Sequence, residues 1–269
     1  MRTLLAYFNK EPKMAKRERR VKVVKNTTAR PPRKSTINRE RTVQANRELS
    51  IKHISPLTDN QRRVFEAYDN DQQLFLHGFA GTGKSFLAIY LSLSDILDHQ
   101  CDYDKLYIVR TAEPSKNVGF LPGSLEEKTN VYEAPYVGLF NELLGRGDAY
   151  EVLKKKGVVE FITTSYIRGI TLDNCIIIVD EIQNMEANEL IAILTRLGTN
   201  SRIIMCGDYR QSDLKNNHKD SHRKEDILRF KEVVEKMESF SLIEFEVDDI
   251  IRSKIVKEFI IKATEMGFM

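Results

Sequence analysis

The stretch Gly78-Phe79-Ala80-Gly81-Thr82-Gly83-Lys84-Ser85 combines the residue types that can grip a chain of phosphates: a glycine, four open positions, then Gly-Lys-Ser. Phosphate oxygens are wrapped by backbone N–H groups, and residues without a Cβ let the backbone come that close. Lys84 adds a charge that can reach β- and γ-phosphates, and the Ser85 hydroxyl can hold Mg²⁺. The flanks agree with this. Leu74 to His77 is a short apolar strand before the loop, and Phe86 to Leu97 an apolar-rich helical stretch after it. Such a helix points its N-terminal N–H groups and positive dipole end at the phosphates. The expected nucleotide-binding set is Gly78, Phe79, Ala80, Gly81, Thr82, Gly83, Lys84, Ser85 and Phe86. A glycine-rich turn that binds nothing is the poorer reading.

A second set of chemical groups closes the run Cys175-Ile176-Ile177-Ile178-Val179-Asp180-Glu181. Unbroken apolar runs of this length read as strands buried on both faces. Carboxylates at the C-terminal end of such a strand lie where open α/β sheets bind ligands. Asp180 is expected to hold Mg²⁺ through water, and Glu181 to orient or deprotonate an attacking water. An enzyme that passes phosphate to a substrate hydroxyl has no need of that second acid. Alone, the pair would read equally as the solvated end of a core strand. A further buried run, Ile204 to Gly207, leads into Asp208 and Gln211. Gln211 could sense the γ-phosphate, or belong to an ordinary strand-to-loop turn. Gln61, in the helix opened by Thr58, offers both a donor and an acceptor and so suits the edge of adenine. It is equally a surface helix residue.

Strand-like segments at 106–110, 158–163, 202–206 and 242–247 alternate with helical ones at 59–68, 125–144, 149–156, 187–197, 227–237 and 252–265. That alternation predicts an α/β fold with one parallel sheet covered by helices on both faces. The expected organisation is an arm over 1–52 and a single domain over 53–269. The arm carries 16 Lys and Arg against 4 Asp and Glu, a net of +12 where the whole chain has +3, so the remainder carries −9. Few large apolar residues and Pro31-Pro32 leave the arm without the means to build a core. It suits phosphate neutralisation on nucleic acid, or a solubilising tail folded against the acidic domain. The apolar patch Met1 to Phe8 is too short for a secretory signal, and no apolar stretch approaches membrane-spanning length. Cys101, Cys175 and Cys206 fit reduced thiols of a cytoplasmic protein. His218 and His222 are spaced for one helix face, but the surrounding charges favour a solvated segment over a metal site.

These segments together resemble the PhoH family of P-loop ATPases, whose core is similar to the first motor domain of superfamily one helicases. The resemblance rests on the phosphate loop, Val109-Arg110, Gly119-Phe120-Leu121-Pro122-Gly123, Tyr166-Ile167-Arg168-Gly169 and Asp180-Glu181-Ile182-Gln183-Asn184. It continues through Leu194 to Gly198, Gly207-Asp208 with Gln211, and Ile251-Arg252, and covers residues 55 to 265. One departure is Ile170, where the family has a second arginine. The resemblance implies a RecA-like P-loop NTPase core, ATP and Mg²⁺ as ligands, ATP hydrolysis, and action on RNA or single-stranded DNA. A nucleotide-controlled interaction protein with a basic docking arm is the alternative. It also implies a homo-oligomer, a ring such as a hexamer, in the cytoplasm (the host's, if phage-encoded). Arg252 then stands where an arginine completes the ATP site, from the same chain or a neighbour. Its plainer role would be to cap the C-terminal helix.

Overall fold

The structure is a computed structural model that describes residues 49–98, 101–111, 125–167, 169–208 and 218–267, without the side chains of 125–129 and 218–224. Gln211, Arg168, residues 119–123 and the arm up to residue 48 lie outside the described residues.

Six parallel strands make one sheet in the order β3-β2-β4-β5-β1-β6. They are β1 (Gln73–Gly78), β2 (Lys105–Arg110), β3 (Val159–Thr163), β4 (Cys175–Val179), β5 (Ser201–Gly207) and β6 (Phe240–Phe245). The helices are α1 (Asp59–Asp69), α2 (Lys84–Ile96), α3 (Leu125–Leu144), α4 (Ala149–Lys155), α5 (Ala187–Leu194), α6 (His218–Glu235) and α7 (Lys254–Glu265). The alternation of side chains along a strand separates two cores. Leu74 and Leu76 of β1 pack with α1, α2, α3 and α4, whereas Phe75 between them faces the opposite layer with α5 and α6. All five residues of β4 are buried, as its unbroken apolar run requires.

The expected α/β architecture with helices on both faces is what forms, with local differences at element ends. α5 stops at Leu194 because Leu197 bridges to Leu172 and the Gly198 N–H donates to the Leu172 carbonyl. β6 runs two residues earlier than expected, in register with β1 from Gln73↔Phe240 to Gly78↔Phe245. The chain then enters a 3₁₀ turn at Val247–Asp249, where the Glu246 N–H donates to Asp249. α6 begins nine residues ahead of its expected start. The arm boundary also moves: Leu49 is already in the core, and the Lys52 N–H donates to the Leu143 carbonyl at 2.9 Å. Cys175 and Cys206 are buried thiols, and burial pushes Cys175 up to about 12.

Candidate nucleotide site

The order of the strands puts β5 between β1 and β4, with β2 on the far side of β4. Four strand ends therefore lie side by side: Gly78 on β1, Gly207-Asp208 on β5, Asp180-Glu181 beyond β4, and Arg110 on β2. Between them, α2 and α3, a cleft of about 460 Å³ opens at the carboxyl edge of the sheet. Lys84, Ser85, Arg110, Tyr136, Asp180, Glu181, Gln183, Asp208 and Arg252 all line it.

The loop is held from below. Gly78 has φ 117°, and a Cβ there would stand 2.0 Å from the Phe245 carbonyl oxygen, so this position excludes every side chain. The Phe79 N–H donates to that same oxygen at 3.1 Å. Phe79 is therefore a packing residue, buried against Ile250 and Ile260, and its N–H is spent on β6 rather than open to phosphate. Phe86 packs in the core and also lines the cleft. Thr82 is fully buried and donates to the Phe79 carbonyl at 2.9 Å, closing the loop on itself. Lys84 donates to the carbonyls of Gly78 (2.8 Å) and Phe79 (2.7 Å), so its ammonium sits inside the ring of the loop. Burial pulls its pKa below the ordinary lysine range, against Asp208, Cys206, Asp180 and Glu181, which pull it up.

Gln61 is not in the cleft. It is fully buried, its Oε1 accepts from the Leu57 N–H at 2.8 Å, and its Nε2 donates to the Thr82 carbonyl at 3.1 Å. Both ends of the amide that suited adenine are thus engaged in tying α1 to the phosphate loop. Gln61 acts here as a brace.

The acids sit as expected from the strand end. Asp180 continues the ladder, its N–H donating to the Val109 carbonyl at 2.9 Å. Its Oδ1 accepts from the Ser85 hydroxyl at 2.9 Å and its Oδ2 from the Tyr136 hydroxyl at 2.8 Å. A hydroxyl and a carboxylate in contact, both hard oxygen donors, fit Mg²⁺, which commonly takes one or two protein oxygens and completes its shell from substrate phosphates and water. Among the described residues, no cluster of three or more His, Cys, Asp or Glu side chains forms an all-protein cage. Glu181 has φ 56°, a left-handed conformation rare for a glutamate, which turns the chain sharply into the Ile182–Asn184 turn. Burial raises its pKa, with the Asp180 charge adding to the effect; Arg110, Gln183 and Lys84 oppose it.

Three cleft residues carry no sign of their place in the site from sequence alone, although two stand in the matched segments Val109-Arg110 and Asp180 to Asn184. Gln183 donates through Nε2 to Glu181 and accepts through Oε1 from the Asp208 N–H at 2.9 Å, joining the ends of β4 and β5. This closeness is the reason for Gly207: a Cβ there would meet Ile182 Cγ1 at 2.3 Å. Arg110 reaches the acids because β2 pairs with β4 as far as Val109↔Val179. Tyr136 comes from α3. Arg252 precedes α7 instead of lying in it, and the Ile251 N–H donates to the Gly81 carbonyl at 3.1 Å. Its side chain therefore lies on its own phosphate loop.

A phosphate loop on β1, acids on the second strand over and a parallel sheet between two helical layers define the P-loop NTPase fold. Residues 53–265 match the family model described as PhoH-like protein, and the chain belongs to the PhoH family. The PhoH-like protein of Bacillus subtilis (strain 168) is 33% identical over 210 residues, which are 78% of this chain and 63% of that protein. That of Synechocystis sp. is 32% identical over 204 residues, 76% of this chain and 60% of its own. PhoH of Escherichia coli K12 is 33% identical over 156 residues, 57% of this chain and 44% of its own. The chain thus spans about 60% of the length of the first two relatives. A large terminase from a thermophilic bacteriophage aligns over 76% of this chain and 50% of its own at 13% identity and TM-score 0.42, a likeness too loose to bear on function.

Among the described residues, no helix is long and apolar enough to cross a membrane.

Proposed function

We propose that the chain binds ATP with Mg²⁺ and hydrolyses it, acting on or with RNA or single-stranded DNA. The observation that carries this reading is the convergence of Lys84, the Ser85–Asp180 pair and Glu181 on one cleft. Lys84 would exchange the loop carbonyls for phosphate oxygens. Ser85 and Asp180 would hold the metal, which when bound neutralises charge on the phosphates. Glu181 would orient a water and take its proton as the water oxygen bonds to the terminal phosphorus and the bond to the diphosphate leaving group breaks. Its raised pKa makes it a stronger base than an ordinary glutamate. Gln183 would hold it in place, and Arg252 would complete the charge around the phosphates in cis. Gln211 remains a proposed γ-phosphate sensor.

The arm, with its net charge of +12, would supply nucleic-acid contacts that do not read sequence. Self-association, as a ring of copies, belongs to the same proposal; α7 leaves Ile255 and Phe259 exposed for such contacts. Sedimentation with and without ATP tests it. The test of function is Mg²⁺-dependent release of phosphate from ATP, with and without single-stranded RNA and DNA. Hydrolysis that no nucleic acid alters would favour the nucleotide-controlled interaction protein, and no hydrolysis at all would refute the proposal.

A further inference from the structure

We infer that Tyr136 is a positioning residue for the metal-binding carboxylate, setting the orientation of Asp180 from a helix that belongs to neither the phosphate loop nor β4. The inference rests on the proposed Mg²⁺–nucleotide reading of the site. The Asp180 main chain is fixed by its bond to Val109, but its carboxylate can still rotate. Ser85 holds one oxygen at 2.9 Å and Tyr136 the other at 2.8 Å, and together they settle that rotation. Without the phenol, one oxygen loses its partner at the mouth of a cleft that also holds Lys84 and Arg110, toward which the carboxylate could swing.

The phenol is well placed for this work. Tyr136 is 2% exposed, with its ring against Phe161 of β3 at 5.8 Å between centroids. One turn earlier on α3, buried Glu133 accepts from the Tyr150 hydroxyl and from Lys154 at 2.7 Å, stapling α3 to α4. The hydroxyl is therefore delivered by a fixed scaffold. A phenol donates without bringing a charge that would compete with the metal, as a lysine would. A phenol ordinarily ionises only near pH 10, about three units above neutrality, so it stays a donor at working pH.

Tyr136→Phe in the full chain deletes the donor and keeps the ring packing. The readout is equilibrium binding of a fluorescent ADP analogue, titrated with Mg²⁺ and repeated in EDTA, with thermal unfolding in parallel. Half-saturating Mg²⁺ should rise about tenfold, the lower end of the range for partners that orient metal ligands. Affinity in EDTA should stay with the parent, and the unfolding midpoint should fall by no more than the loss of one buried hydrogen bond accounts for. Asp180→Asn should abolish the difference between Tyr and Phe at 136, because the effect passes through that carboxylate. An unchanged Mg²⁺ titration, an equal loss in EDTA, or a full Tyr136→Phe effect in the Asp180→Asn background would overturn the inference. A parent protein whose nucleotide binding ignores Mg²⁺ would instead overturn the proposed function, and this inference with it.

Discussion

Arg252 lies across Gly81: a Cβ built on Gly81 would stand 2.8 Å from Cγ of Arg252 and 3.4 Å from its Nε. The contact follows from the backbone, since the Ile251 N–H is bonded to the Gly81 carbonyl and α7 starts only at Lys254. An arginine delivered to its own phosphate loop has no need of a second copy. Arg252→Ala should therefore bind ATP but turn it over about 10³-fold or more slowly, the scale for loss of an arginine finger. Mixing Arg252→Ala with Lys84→Ala subunits should restore nothing. Recovery of activity in that mixture would place the arginine in a neighbour's site.

Gly78 and Gly81 should respond unequally to alanine. At Gly78 the obstacle is the Phe245 backbone, at 2.0 Å, and β6 cannot retreat without breaking its pairing with β1. At Gly81 it is a side chain that can turn away. Overpacking and left-handed strain together should cost Gly78→Ala at least about 3 kcal/mol. Gly81→Ala should cost less stability and impair turnover through the displaced Arg252. Chemical denaturation of the two variants gives the comparison, and a Gly78→Ala protein as stable as the parent would contradict the packing described.

The pKa of Glu181 is raised chiefly by burial, and this has two consequences of opposite sign. A base must be ionised to accept a proton, so turnover should fall as pH drops through the raised value, above the ordinary glutamate pKa of about 4.3. For stability, a carboxyl whose folded pKa exceeds its unfolded one favours the fold below the unfolded pKa. That contribution is lost as pH rises through the folded value. Glu181→Gln should consequently melt higher than the parent at neutral pH, and the two should converge in acid. Parallel melting curves at all pH values would argue that Glu181 is not held against its charge.

Deleting residues 1–48 should preserve the fold and nucleotide binding, because Leu49 packs in the core and the brace on the loop is formed by Leu57 and Gln61. Nucleic-acid affinity should fall, and its salt dependence should flatten by about one unit of slope per lost phosphate contact. An unchanged salt titration would leave the arm as a solubilising tail.

The elements that build the floor of the site are legible because their signals are local. A glycine-rich octapeptide after an apolar run, and two acids ending another, state their chemistry without reference to the rest of the chain. Tyr136 is not legible, since a tyrosine at helical spacing between Tyr132 and Phe140 reads as core, and most of its ring is core. Only the pairing of β2 with β4 brings Arg110 to the acids, and register is a property of two strands rather than one. Gln61 misleads for a related reason. Its donor and acceptor are both used, but their partners, Leu57 and Thr82, are backbone groups whose approach depends on how α1 packs against the loop. Arg252 depends on where α7 begins, two residues later than its periodicity suggests.

The proposed mechanism turns on Glu181 as the base of an ATP-hydrolysing site built by Lys84, Ser85 and Asp180. Its most direct test is single-turnover hydrolysis of ATP by Glu181→Gln beside the parent, with ATP affinity measured on both. Affinity should be unchanged and turnover lower by about 10²-fold or more, the scale of a lost general base. Hydrolysis by Glu181→Gln at the parent's rate would contradict it.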